Sequence, residues 1–454
     1  MENSSDTFKT NVAHALADVE LQKALQNVKR GFVVKREAAK AKLPEFDKLR
    51  DEARAVKDHT LSHLDLYLEA YERKVTESGG VVHFAETAAD ARAIVLELCR
   101  ELGAKLVTKG KSMISEEIGL NAHLEASGIE VVETDLGEYI VQIRGETPSH
   151  IIAPVIHLNK EDIAQDFRRV HKQFATARKL NQVQDLVAEA RAVLREKFLK
   201  ADIGITGANL LIAETGSSVI VTNEGNGDLT STLPRAHIVV ASIEKVVPTL
   251  EDADTILRLL ARSGTGQEIT TYTTFVTGPR RDSDPDGPVA YHVVLLDNGR
   301  SEMLGGVFAD MLRCIRCGAC QNVCPVYRQV GGTAYGWVYG GPIGAVLTPL
   351  LHPQDGLDEL GQASSLCAAC DDVCPVGIPL HELLLGLRRD RAATSAGRLE
   401  RLAFRALSAA WSRPWLYRLT TRAARRVNIR GQAPFMHVPV LRRWARTRDL
   451  RGGR

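Results

Sequence analysis

Apolar positions recur every three or four residues through the first seventy or so residues. The clearest stretch, TLSHLDLYLEAYERKV, places Leu61, Leu64, Tyr67, Leu68 and Tyr71 at helical spacing. From about residue 80 the pattern changes. Strand-like and helical runs alternate to about residue 300, which predicts an α/β domain. VVHFAE reads as a short strand, followed by ADARAIVLELCRELG, a helix that Gly103 ends. The run HIIAPVIH, 150–157, reads as a buried strand. Val183, Leu186, Val187, Ala190, Val193, Leu194 and Phe198 form one stripe of a long helix. In IGITGANLLIAETGSSVIVTNEGNGDLTSTL short β-rich segments are punctuated by glycines, with EGNGD as a turn signal. AHIVVASIEKVV and VAYHVVLLDNG read as two further strands.

Beyond residue 300 the cysteines take over. Of eight in the chain, seven lie between 314 and 374, and Cys99, in AIVLELC, reads as a core residue. CIRCGACQNVCP, 314–325, is the C-x2-C-x2-C-x3-C-P run of bacterial ferredoxins. SSLCAACDDVCP, 364–375, repeats it with Ser364 at the leading position. In such runs the two-residue gaps let three thiolates wrap one cluster, while the proline-adjacent cysteine serves the other. By that rule Cys314, Cys317, Cys320 and Cys374 share one cluster, and Cys324, Cys367 and Cys370 share a second. Paired zinc sites are the competing reading of CxxC spacings, but seven cysteines divide badly into fours. The second cluster is one thiolate short. It is a 3Fe–4S cluster, or a 4Fe–4S cluster with an oxygen ligand, or one completed by another subunit, with Ser364, Asp371 and Asp372 as nearby oxygen donors. Between the runs, GGTAYGWVYGGPIGAVLTPLL has the glycine density of a backbone passing close to a cluster, a partner or another loop.

No phosphate loop and no dinucleotide fingerprint accompany these cysteines, nor is any flavin or haem motif visible. Two clusters without a two-electron centre form a relay, which predicts an electron-transfer subunit of a larger oxidoreductase. The 454 residues suggest a helical region at 1–75, an α/β domain at 76–300, a two-cluster domain at 301–395 and a basic tail at 396–454. The formal net charge of +2 hides a polarity. From Arg388 onward there are 18 Arg and no Lys against three acidic residues, so this segment carries about +15 and the remainder about −13. WSRPWLYRLTTRAARRV and VPVLRRWARTRD mix Trp, Leu and Arg, as a segment lying on an anionic membrane surface or docking on an acidic partner would. Nucleic acid is not expected as a partner. With no apolar run of about 18 residues and no apolar stretch at the N-terminus, the expected location is cytoplasmic, with the tail at the inner membrane face. His59 and His63 sit four apart without a third ligand nearby, and helix histidines so placed are usually solvated or packed.

KSMISEEIGLNAHLEASGIEVVETDLGEYIVQI (111–143), GITGANLLIAETGSSVIVTNEGNGDLTSTLPRAHIVV (204–240) and both cysteine runs with their flanks resemble the lactate utilization protein B family. The resemblance covers nearly the whole chain apart from its tail. It implies an α/β LUD domain similar to the CoA-transferase and formyltetrahydrofolate cyclo-ligase group, preceded by helices. A two-cluster ferredoxin-type helical module and an Arg-rich helical tail follow. It also implies electron transfer during oxidation of L-lactate to pyruvate with two partner subunits, and the same cysteine ligand sets. In related CoA-transferase folds a glutamate on a turn such as AETGS attacks an acyl-CoA, which makes Glu214 a candidate nucleophile, although a capping role is the simpler expectation. Ser115-Glu116-Glu117 and Arg280-Arg281 are candidates for a small-anion site, or else a helix cap and a solvated loop.

Overall fold

The computed structural model describes residues 4–429 except 111, 176, 354–356, 358 and 395–397. It divides into two compact units, residues 1–388 and 389–454. The first unit is built on a six-stranded sheet whose every pairing is parallel. Its strands, numbered with all strands in chain order, are β1 (Val81–Ala85), β2 (Leu106–Lys109), β3 (Glu130–Glu133), β4 (Ile203–Thr206), β7 (Ala236–Ser242) and β10 (Ala290–Leu296). They lie in the order β1-β10-β7-β4-β2-β3. A smaller sheet in the order β8-β5-β6-β9 combines β5 (Leu210–Ile212), β6 (Ser217–Thr222), β8 (Val246–Val247) and β9 (Tyr272–Val276).

Local chemistry explains these elements. Thr87 and Asp90 form a reciprocal capping box at the start of helix Ala88–Glu101, and Gly103 follows its end at a φ of +61°. The stripe expected at 183–198 lies on helix Val183–Lys200, with Leu186, Ala190, Leu194 and Phe198 buried. The strand β7 is buried along its whole length, as a central parallel strand covered on both faces must be.

One expectation fails. HIIAPVIH is not a strand but a series of bends and turns. His150 Nδ1 accepts hydrogen bonds from the Ile152 and Ala153 N–H groups, and Ser149 N–H bonds back to Pro154 O, so local turn bonds take the place of a ladder. EGNGD turns the chain as expected, through 223–225, and its last three residues open helix Asn226–Thr232.

The order of the large sheet creates a switch. After β2 the chain moves outward to β3, whereas after β4 it moves the other way, to β7. At the carboxyl ends of the adjacent strands β2 and β4 the following loops therefore part, leaving a crevice. The N-terminal helices pack elsewhere. Phe8, Leu25 and Phe46 share one apolar core with Tyr327, Tyr335, Trp337 and the cysteine segments. The glycine-rich stretch packs against loops: a Cβ on Gly332 would lie 1.7 Å from the Ser149 carbonyl oxygen, and one on Gly344 1.8 Å from that of Tyr339.

In the second unit, helices Arg398–Trp411 and Pro414–Ile429 expose Leu402, Phe404, Trp411, Trp415 and Leu419. The segment VPVLRRWARTRD lies outside the described residues.

Candidate iron–sulfur centre and adjoining cavity

The two cysteine runs fold alike. Each has a short helix, Ala319–Val323 or Ala369–Val373. In the first, Arg316 and Gly318 adopt φ of +59° and +72°; fifty residues on, Leu366 and Ala368 adopt +55° and +60°. Three of these four are not glycine, so left-handed backbone is imposed at matched positions by the fold around them. The final cysteines agree as well, Cys324 at φ −66°, ψ 121° and Cys374 at φ −67°, ψ 118°. The match extends to Ser364. Cys314 Sγ accepts the Arg316 N–H at 3.4 Å, and Ser364 Oγ accepts the Leu366 N–H at 3.0 Å. The serine hydroxyl thus sits where a fourth thiol of the second run would be.

The short helices of the two runs pack against each other. Cys314, Cys317 and Cys320 line a small cavity together with Cys374. Burial, reinforced by the Cys374 and Cys314 thiols, pushes the Cys317 thiol up to about 12. Burial likewise pushes Cys374 up to about 11 and Cys320 well above the ordinary thiol range. The other three are neighbours too. Burial raises Cys324, with Cys367 adding to the effect, and burial raises Cys370, with Asp371 and Cys324 adding. Cys367 differs: it is exposed, and hydrogen bonds from Ser365 and the Ala369 N–H lower its pKa. Buried thiols crowded in this way ionise only against compensating positive charge, which iron supplies to thiolate ligands. Backbone N–H groups of Tyr327 and Ile378 point at the sulfurs of Cys324 and Cys374, at 3.5 and 3.3 Å. The donor set and its setting fit iron–sulfur clusters.

The first run is bolted to the α/β domain. Asn322 bonds His150 Nε2 at 3.0 Å and donates to Gly264 O, while Gln321 Oε1 accepts the Ile151 N–H at 3.3 Å. Behind it lies a buried ion network. Arg300, 0% exposed, makes a bidentate pair with Glu117 at 2.7 and 3.0 Å and stands 3.0 Å from Glu244. Arg316 reaches Glu244 at 3.2 Å and lies over the Tyr339 ring, whose hydroxyl donates to Glu117. Lys57, from the N-terminal helices, donates to Glu244 O. Burial opposes ionisation of Glu244, but Arg300, Arg316 and Lys245 hold its carboxyl down to about 2. The second run is held otherwise. Arg50 donates to the Cys374 and Asp371 carbonyls at 2.7 and 2.8 Å, and Arg36 to that of Val373.

A larger cavity of about 500 Å³ opens at the switch between β2 and β4. Ser112, Gly207, Asn226 and Lys245 line it, as do Arg316 and Cys317 of the first run. The α/β crevice and the first cysteine loop therefore share one space.

Other residues singled out in the sequence lie apart. Glu214 is exposed, its carboxylate accepts the Leu250 N–H at 3.2 Å, and it is outside the residues lining this cavity. Glu116 pairs with buried Lys109 and Glu117 with Arg300, while Arg280 and Arg281 are exposed in a loop. His59 bonds Tyr67 and His63 bonds the His59 carbonyl, and among the described residues no three potential ligands stand close enough to hold a single metal ion. Cys99 is fully buried. The sequence reading missed Lys57, Glu244, Lys245, Arg300 and Arg316. Lys245, within the apolar run ASIEKVV, and Arg316, inside the first cysteine motif, carry a sequence-level signal; Lys57 and Arg300 sit in polar stretches and carry none.

These features define a LUD domain joined to a 4Fe–4S dicluster domain, and the family models so described match residues 68–296 and 310–378. The chain belongs to the lactate utilization protein B family. It is 46% identical to lactate utilization protein B of Bacillus licheniformis, over 93% of this chain and 89% of that one. It is also 46% identical to that of Shouchella clausii, over 97% and 90% of the two chains. An uncharacterized electron transport protein of Escherichia coli, YkgF, is 41% identical over 99% of this chain and 95% of its own length.

Proposed function

We propose that this protein is the iron–sulfur electron-transfer subunit of a multi-protein system that oxidises L-lactate to pyruvate. Cys314, Cys317, Cys320 and Cys374 would hold one 4Fe–4S cluster; Cys324, Cys367 and Cys370 would hold the second, with Ser364 at its open corner. The observation that supports this reading is the duplicated backbone, with Cys374 lining one cavity beside Cys314, Cys317 and Cys320, and Cys324 neighbouring Cys367 and Cys370. Bound clusters supply one-electron acceptors in series. The chain's own contribution is to hold one site against the α/β domain through Asn322 and Gln321, and bring the other to the surface at Cys367. Lactate oxidation releases two electrons and two protons, so a partner carrying a two-electron centre and a further partner accepting electrons are expected, namely two other lactate-utilization subunits. The names of the relatives support the pathway. For the tail we propose peripheral contact with an anionic membrane surface, supported by Trp411, Trp415 and Leu419 exposed among arginines.

Anaerobic purification with iron and sulfide quantitation, and EPR before and after dithionite, tests the cluster content. About seven to eight iron atoms per chain are expected from the ligand sets. Zinc without acid-labile sulfide would refute it. Deleting residues 396–454 should shift the protein from the membrane fraction to the soluble fraction, and an unchanged distribution would refute the tail contact.

A further inference from the structure

The cavity at the β2–β4 switch has the chemistry of an anion site. Lys245 is 5% exposed and makes no hydrogen bond or ion pair among the described residues, yet it lines this space. Arg316 commits one terminal nitrogen to Glu244, while its buried Nε has no hydrogen-bond partner. Asn226, 7% exposed, also lines the cavity and its side chain makes no hydrogen bond among the described residues. Asp135 does not answer these cations, since its carboxylate accepts the Gly137 and Glu138 N–H groups as a helix cap. Around the network, the cations Lys57, Lys245, Arg300 and Arg316 outnumber the buried carboxylates Glu117 and Glu244, with the Cys314 thiol also close to Lys57, Lys245 and Arg316. Charges so removed from water require partners. Ile140, Ile151 and Leu260 give the cavity apolar wall, while Ser112, Thr206, Asn209 and Gln267 add polar groups and Glu224 one further carboxylate. A carboxylate with a short carbon chain satisfies both parts. Small-ligand sites combine apolar walls with a few placed polar groups in this way, and open α/β sheets place them at such a switch.

We propose that this cavity binds a small monocarboxylate of the 2-hydroxy or 2-oxo acid class, its carboxylate held by Lys245 and Arg316 and its neighbouring oxygen by Asn226, beside Cys317. The acid class rests on the function proposed above; the anion site rests on the cavity. The LUD domain then becomes the substrate- or product-holding part of the system, joined directly to the first cluster. The competing role for Lys245 is to balance the thiolates of that cluster alone.

The test uses the full-length, cluster-loaded protein under anaerobic conditions, titrated calorimetrically with L-lactate and with pyruvate, and with acetate and inorganic phosphate for comparison. L-lactate or pyruvate should bind more tightly than acetate or phosphate. Lys245→Met and Asn226→Leu should each weaken binding about tenfold or more, with iron content unchanged. No binding, equal affinity in both variants, or preference for phosphate would overturn the proposal. So would Lys245→Met shifting the reduction potential of the first cluster while leaving affinity intact, the result expected of a counter-ion. If Lys245→Met does not fold, Asn226→Leu decides. Lactate-driven cluster reduction with the partner subunits, but no binding by this chain alone, would overturn the cavity assignment and leave the electron-transfer reading standing. Binding here without any lactate-driven cluster reduction would do the reverse.

Discussion

The two cysteine runs share a backbone and differ in almost everything around it. The first is anchored by Gln321 and Asn322 and backed by the Arg300–Glu117 ion pair. In the second, Cys367 is exposed, Asp372 is exposed, and the leading thiol is replaced by Ser364. Even the matched left-handed residues diverge: Arg316 sends a buried cation to Glu244, whereas the equivalent Leu366 has only an apolar side chain. A duplication has thus been divided into an inner site, electrostatically tied to the α/β domain, and an outer one open to a partner. That asymmetry gives the relay a direction in space.

The largest effect should come from exchanging ligands across the two runs. If the last cysteines are crossed, Cys374→Ala removes the inner cluster although it lies in the second run, and Cys324→Ala removes the outer one. Each variant should lose roughly half of the iron, but with opposite EPR signals missing. Uncrossed losses would break the comparison. Next is the ion network. Arg300→Met leaves Glu117 buried with only Tyr339 and Asn298 as donors. A loss of about 3–5 kcal/mol is expected from breaking a buried pair on one side, measured by chemical denaturation. By contrast His381→Ala removes a part-exposed pairing with Asp371 beside the outer run, and should cost under about 1 kcal/mol. Equal losses would mean that the two runs are held alike.

A third contrast concerns the thiols after chelation of iron. Burial pushes the Cys317 thiol up to about 12, whereas hydrogen bonds lower that of exposed Cys367. At pH 8 the Cys317 thiol stays protonated, whereas Cys367 ionises more readily. Alkylation followed by peptide mapping should therefore label Cys367 first, with Cys317 labelling accelerating as pH rises toward 12. Reversed labelling would contradict the inner–outer distinction.

Much of this division was legible in the sequence only as grammar. The C-x2-C spacings and the serine substitution were plain, and helical stripes such as 183–198 survived into the structure because a single buried face specifies them. The run 150–157 misled because apolar content signals burial, not strand geometry, and His150 satisfies the backbone through turns. EGNGD signalled the turn at 223–225 but not the helix Asn226–Thr232 that its last three residues begin. Lys245 and Arg316 were invisible as a pair, being brought to one cavity by strand order and not by spacing. Arg316 stood inside the first cysteine motif as a spacer residue, and nothing local distinguishes a spacer from a buried cation.

The smallest and sharpest prediction concerns Ser364. Its hydroxyl accepts the same backbone N–H that the Cys314 sulfur accepts in the inner run, so Ser364→Cys introduces a thiol into a geometry already built for one. Thiolate binds iron more strongly than a neutral hydroxyl, and the open corner is what makes the outer site vulnerable to oxidants. Under air, wild-type protein should lose one iron from the outer cluster first and develop the EPR signal of a 3Fe–4S centre. Ser364→Cys should slow that loss several-fold, while Ser364→Ala should speed it or leave it unchanged. The inner cluster should decay at one rate in all three proteins, because Met311, Ile315, Ile343, Val376 and Ile378 line its site regardless of residue 364. If Ser364→Cys leaves the outer cluster as labile as before, exposure at Cys367 rather than the missing thiolate sets its lifetime. The two runs would then differ by burial alone.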